Sequence, residues 1–97
     1  MEIIGSIFAI EEKQVKTDKF TVQEFILDAG TFDQYTGEKR ENYLKLQCSN
    51  NRIEELEKLK IHDRVKVFFH PRGRFFKDKE GKDGHAQNLD AYKFEKL

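Results

Sequence analysis

Tryptophan is absent, proline and cysteine occur once each, and no apolar run approaches the roughly 20 residues that span a bilayer. With a single cysteine, Cys48, no internal disulfide can form, so the fold must rest on packing alone. Its apolar setting in LKLQC marks a buried small side chain rather than a nucleophile, and one thiol is too few soft ligands for a zinc site. The start, MEIIGSIFAIEE, lacks a basic segment and turns acidic, which argues against a secretory signal and leads us to expect a cytoplasmic protein. Phosphate-binding loops, GxSxG and HExxH are missing, and His62, His70 and His85 lack ligand spacing; we therefore expect no catalytic residue, metal or cofactor. A net charge of zero excludes a simple polycation.

What is present is a chain of 97 residues, enough for one domain with a thin core, in which apolar and charged residues each make up 37%. The charge is unevenly spread. Residues 1–61 carry nine Lys/Arg and twelve Asp/Glu, whereas residues 62–97 carry nine and six. Seven cations fall within 64–82 against only Asp78 and Glu80, and a phosphate backbone responds to such a local field.

Five strands and one helix are predicted. The first, Glu2–Ile10, is apolar on both faces (Ile4, Phe8 and Ile10; Ile3, Ile7 and Ala9), with Gly5 marking a bulge or bend, and EEKQVKTDK follows as a polar connector. Phe20–Asp28 is the second strand, rich in β-branched and aromatic residues. A long connection, residues 29–42, leads to Tyr43–Ser49, where Leu44, Leu46 and Cys48 alternate with exposed Tyr43, Lys45 and Gln47. NNRIEELEKLKIHD is the sole helix, capped by Asn50 or Asn51 and apolar at Ile53, Leu56 and Leu59. The fourth strand, Arg64–His70, turns Val65, Val67 and Phe69 inward, and Ala86–Phe94 is the fifth.

This order, with one helix between the third and fourth strands, predicts an all-β fold: a five-stranded OB-fold Greek-key barrel occupying residues 1–97 as a single domain. SH3-like barrels lack that helix, and a ferredoxin-like fold needs two.

Binding has more support than catalysis. Tyr43, Lys45 and Gln47 combine a planar ring with an ammonium, as a base-stacking platform requires, although an exposed Tyr and Lys are also ordinary on a half-buried strand. Phe20 is similarly placed. In HPRGRFFKDKEGKDGHAQ, Pro71 is expected to mark departure from the regular sheet and Gly73 a bend. Phe75 and Phe76 must point to opposite sides, so one faces the body and the other, Phe76, stands among Arg72, Arg74, Lys77 and Lys82. Rings interleaved with cations suit single-stranded nucleic acid; the alternative is a hairpin that packs its phenylalanines on the barrel or another subunit. KDKEGKDG reads as a solvated turn, since the twelfth position of a calcium loop counted from Asp78 would be Leu89.

From Tyr43 to Tyr92 the chain resembles the bacterial single-stranded DNA-binding protein family, through YLKLQC, the EEL helix, LKIHDRVKV and RGRFFKDKEGKDG. It also resembles a small bacterial OB-fold family known as a domain of unknown function, through MEIIGSI, QEFILD and NLDAYKFEK. The first resemblance implies that Phe76 and Tyr43 stack on DNA and that Arg72 and Arg74 contact its backbone. Departures are His62-Asp63 in place of a glycine, Ser49 in place of a stacking aromatic, and an ending at FEKL that implies no acidic tip for recruiting partners.

These features predict a non-catalytic, sequence-independent binder of single-stranded DNA, assembled as a homodimer or homotetramer. Its groove would cross the second and third strands between the 29–42 loop and the 72–85 hairpin. Binding of RNA, or a protein-interaction module using Phe75, Phe76 and the 29–42 loop, are the alternatives.

Overall fold

The computed structural model describes residues 1–97. Its elements are β1 (Glu2–Thr17), β2 (Phe20–Asp28), β3 (Thr31–Phe32), β4 (Lys39–Arg40), β5 (Tyr43–Ser49), α1 (Arg52–Glu57), β6 (Arg64–Lys77) and β7 (Asp83–Lys96). Strands β1-β2-β5-β7-β6 close into a barrel, while β3 and β4 form a separate two-stranded sheet. Because that small sheet lies within the 29–42 connection, the helix stands between the fifth and sixth strands of the chain rather than the third and fourth.

Closure depends on β1 being shared. Glu2–Ser6 pair with β6, and Ser6–Thr17 pair with β2. At the changeover Gly5 pairs regularly with Val65, so it is not the predicted bulge; a Cβ there would lie 2.5 Å from the Asp28 carbonyl oxygen and 2.9 Å from Leu27 Cγ. Close approach of β2 is what requires glycine. The irregularities fall instead between Ile7 and Ala9, between Ile10 and Lys13, and between Val15 and Thr17. The first of them shifts the alternation, so that Ile7 is buried and Ile10 also packs on the core, while Ile4 and Phe8 stay exposed.

Ile7, Phe25, Leu27, Leu46, Leu56, Val65 and Val67 form the fully buried centre. They are the inward positions of four strands, plus one residue of α1, whose Ile53 and Leu56 close the barrel end. The helix spans only six residues. Asn51 stands at its N-cap without a side-chain hydrogen bond, its backbone already helical at φ −62° and ψ −24°, and Asn50 Oδ1 accepts from the Thr21 amide at 3.1 Å instead of capping. His62 takes a left-handed φ of 77°, and its amide donates to the Ile7 carbonyl at 2.8 Å. Histidine tolerates such a φ better than most side chains. No helix is long and apolar enough to cross a membrane.

Three predicted boundaries change for one reason. β1 continues through the supposed connector to Thr17, β6 runs to Lys77 rather than His70, and β7 begins at Asp83 rather than Ala86. These extensions are exposed on both faces, so no apolar periodicity marks them. Pro71 and Gly73 remain within the ladder, paired with Leu89 and Gln87, and the only β6–β7 irregularity lies at Phe68/Phe69. Proline is tolerated because the Phe69 amide donates to the Met1 carbonyl, away from β7. The Pro71 nitrogen, two residues on, turns to that same side, where no strand is paired. The resulting β6–β7 arm projects beyond the barrel and stretches the molecule to 50 Å along its longest axis. The radius of gyration is 15.6 Å, against about 13 Å for a compact chain of this length.

Candidate nucleic-acid interface

β5 and β7 run parallel and are joined at a single bridge, Gln47 with Asp90. Over this seam lies a groove of about 360 Å³ whose lining includes Phe20, Ser49, His70, Arg72, Asp90 and Tyr92. Phe20 comes from the start of β2, Ser49 from the end of β5, and the other four from β6 and β7. The seam is knit by Asp90. Its Oδ1 accepts from Gln47 Nε2 at 2.7 Å, and its Oδ2 lies 2.8 Å from Arg72 Nε. Beside it the His70 and Tyr92 rings stack, with centroids 4.4 Å apart and planes 15° from parallel.

The arm continues the groove. From Phe69 to Lys77 the β6–β7 register is unbroken, so strict alternation puts His70, Arg72, Arg74 and Phe76 on one face, opposite Asp90, Asn88, Ala86 and Gly84. Phe75 and Lys77 lie on the other face with His85, whose ring centroid is 4.9 Å from that of Phe75. Phe76 lies over Gly84, where a Cβ would come within 2.5 Å of its ring. Contrary to expectation, neither phenylalanine enters the core: Phe75 is 83% exposed and Phe76 43%. Glycine opposite the ring explains the difference, because it lets Phe76 lie down on the backbone while Phe75 stands free.

Several predicted cations are already paired. Lys45 Nζ lies 3.4 Å from Glu11 and 3.9 Å from Glu24, Arg72 is held by Asp90, and Lys82 faces Glu80 at 3.8 Å. Arg74 and Lys77 have no carboxylate within 4.0 Å. Tyr43 is exposed but lies away from the groove, packed edge-on against Phe8 with centroids 5.0 Å apart. Of the eight predicted residues, Phe20, Arg72, Arg74 and Phe76 therefore share the groove and its extension. Tyr43 and Lys45 are outside the groove lining but share the outward face of β5 with Gln47 and Ser49, which line it, and Lys45 borders a smaller cavity with Gln47 and Asn88. Lys77 faces the opposite side of the arm, and Lys82 sits at the tip.

The loops add rings that were not predicted as site residues. In the β3–β4 turn Asp33 Oδ1 accepts from the Tyr35 and Thr36 amides at 2.8 and 3.1 Å, which holds Tyr35 out at 97% exposure beside exposed Phe32. Those backbone donors, that of Tyr35 foremost, hold the Asp33 carboxyl below its ordinary range. The arm tip is a turn in which Asp78 Oδ1 accepts from the Glu80 and Lys82 amides and Gly81 takes a φ of 80°. Burial, with the charge of Glu55 second, pushes the Cys48 thiol up to about 12, as suits a packing residue. His70 and Tyr92 were also passed over; His70 shares the face of Arg72 by simple alternation, whereas Tyr92 lies at the Phe68/Phe69 irregularity, which no sequence pattern announces.

The order β1-β2-β5-β7-β6, the helix closing one end and the parallel β5–β7 seam define an OB-fold barrel. Within that class the chain belongs to the family described as domain of unknown function DUF3127, whose model matches residues 2–95. No curated protein matches it. Among solved structures it is similar to the SSB of Plasmodium falciparum in complex with ssDNA, at TM-score 0.71 and 15% identity over all of this chain and 92% of that one. A deletion mutant of the single-stranded DNA-binding protein of Thermus aquaticus matches at TM-score 0.69 and 16% identity; 99% of this chain aligns, spanning 48% of that chain. PriB of Ralstonia solanacearum matches at TM-score 0.65 and 7% identity, over 100% and 96%. At such identities the likeness is one of fold.

Proposed function

We propose that this protein binds single-stranded DNA, with bases stacking along the groove and its extension and phosphates held by the arm. The observation that carries the proposal is the row His70, Arg72, Arg74 and Phe76, which continues the groove face for about 20 Å along β6. Stacking rings with cations at two-residue spacing is a surface that grips a strand without demanding a sequence. Phe20 and Phe76 are the principal stacking positions, and Arg74 the principal phosphate contact. Tyr43, Lys45, Lys77 and Lys82 are accessory, because all four are off the row and two of them, Lys45 and Lys82, are already paired. Exposed Ile4 and Phe8 on β1 are the contact between copies in a dimer or tetramer.

The test is anisotropy of labelled oligo-dT at two salt concentrations. Salt-sensitive binding at micromolar protein or below is expected, and its absence refutes the proposal. Phe76→Ala removes one stacked base, about 1–3 kcal/mol, and leaves the salt slope unchanged. Oligo-U titrated in parallel separates DNA from RNA.

A second reading rests on Phe75, Phe32 and Tyr35, all exposed and all off the groove row. They suit contact with another protein, and the mass in solution with and without DNA discriminates: an assembly that buries the arm loses mass or loses DNA.

A further inference from the structure

Asp90 is unusual for a surface meant to meet an anion. It is a carboxylate in the middle of the groove, about a third exposed, and fixed from two sides by hydrogen bonds from β5 and β6. Each of its oxygens accepts one bond and has a lone pair left, while Arg72 has spent only its Nε and retains the N–H groups of both terminal nitrogens. The groove therefore presents a fixed donor beside a pair of fixed acceptors, within reach of Phe20 and the His70–Tyr92 stack.

We infer that this pair selects one base of the bound strand, a guanine. The inference rests on the DNA-binding reading above and sharpens it: the strand is held without regard to sequence except at one position. Guanine's pairing edge runs acceptor, donor, donor (O6, N1–H and the 2-amino group), the complement of Arg72 followed by the two Asp90 oxygens. Thymine sets a second carbonyl oxygen against the carboxylate, cytosine sets an imine nitrogen and a carbonyl there, and adenine offers one donor beside a ring lone pair. Each of those contacts brings two acceptors together, and an unmatched buried acceptor is costly. Guanine to arginine and a base donor to a carboxylate are both established pairings in base recognition. The aromatic walls stack any base; the edge contacts discriminate.

The experiment uses labelled oligo-dT of about fifteen nucleotides, near the upper site size of one such barrel, with its central thymine replaced by guanine, hypoxanthine, adenine or cytosine. Guanine is expected to tighten binding about tenfold over thymine, within the range of a bidentate base contact. Hypoxanthine, which keeps O6 and N1–H but lacks the 2-amino group, should fall between them, and adenine and cytosine should show no gain. Asp90→Asn should bring the guanine-to-thymine ratio to about one. Should that variant fail to fold, the comparison of guanine with hypoxanthine on the native protein still decides. Equal affinity for guanine and hypoxanthine, or for every oligonucleotide, overturns the inference while leaving DNA binding intact. If no oligonucleotide binds, the DNA-binding reading itself fails and takes this inference with it.

Discussion

Two arginines two residues apart on the same face of the arm should behave differently towards salt. Arg74 has no acidic partner, whereas Arg72 is tied to Asp90 at 2.8 Å. A cation that meets a phosphate releases a counterion only if it had none of its own, and each such contact adds about 0.7 to the slope of log K against log salt on a single strand. Arg74→Ala should therefore flatten the slope by about 0.7. Over a rise from about 50 to about 200 mM salt, one such contact costs about 2.6-fold in affinity. Arg72→Ala should change the slope by much less, because its charge is already matched by Asp90; on oligo-dT it should lower affinity by a similar factor at every salt concentration, since it leaves Asp90 as an unpaired negative charge in the groove. Asp90→Asn releases Arg72 to the phosphates and should steepen the slope by about 0.7 while tightening oligo-dT binding at low salt. Anisotropy titrations at four or more salt concentrations read all three. Equal slopes for Arg72→Ala and Arg74→Ala would show that the ion pair opens on binding, which would refute the argument from charge compensation.

Gly5→Ala should destabilise the barrel by about 1–3 kcal/mol, since its methyl would meet the Asp28 backbone and Leu27 at once. Thermal unfolding reads this as a fall of about 4–8 °C per kcal/mol, and an unchanged midpoint would show that β1 and β2 can part freely there. Cys48, 2% exposed and with its thiol pushed up to about 12, should resist a thiol reagent in the native state and react at the rate of unfolding; fast native labelling would contradict its burial. Asp63 accepts from the Lys60 amide at 2.9 Å, and that bond, ahead of the charge of Lys96, holds its carboxyl below the ordinary range. A lowered folded value contributes stability above the unfolded value and loses it as pH falls through the folded one. Native protein and Asp63→Asn should thus differ in midpoint above about pH 4 and converge below it; a constant gap would assign the effect to packing.

Residues whose environment is set by near neighbours were legible in the chain itself. β2 and β5 take the predicted bounds, Phe20–Asp28 and Tyr43–Ser49, because each alternates a core-facing side with a wetter one. Val65, Val67 and Phe69 are buried as the pattern of RVKVFFH requires, and the element order that specifies an OB-fold follows from those segments. The same local logic could not reach the far halves of β1, β6 and β7. They are wet on both sides and held by backbone pairing, to which side-chain polarity is no guide.

The sequence alone determined the barrel, its helical plug, the buried thiol and the clustering of cations near Phe75 and Phe76. Only the tertiary structure decided what those cations face. Gln47 and Asp90 are 43 residues apart, and nothing local joins them to Arg72. The parallel seam of β5 and β7 brings the three together, cancels one arginine and leaves Arg74 free two residues on. Charge pairing depends on distance through space, and the chain's own order is blind to it.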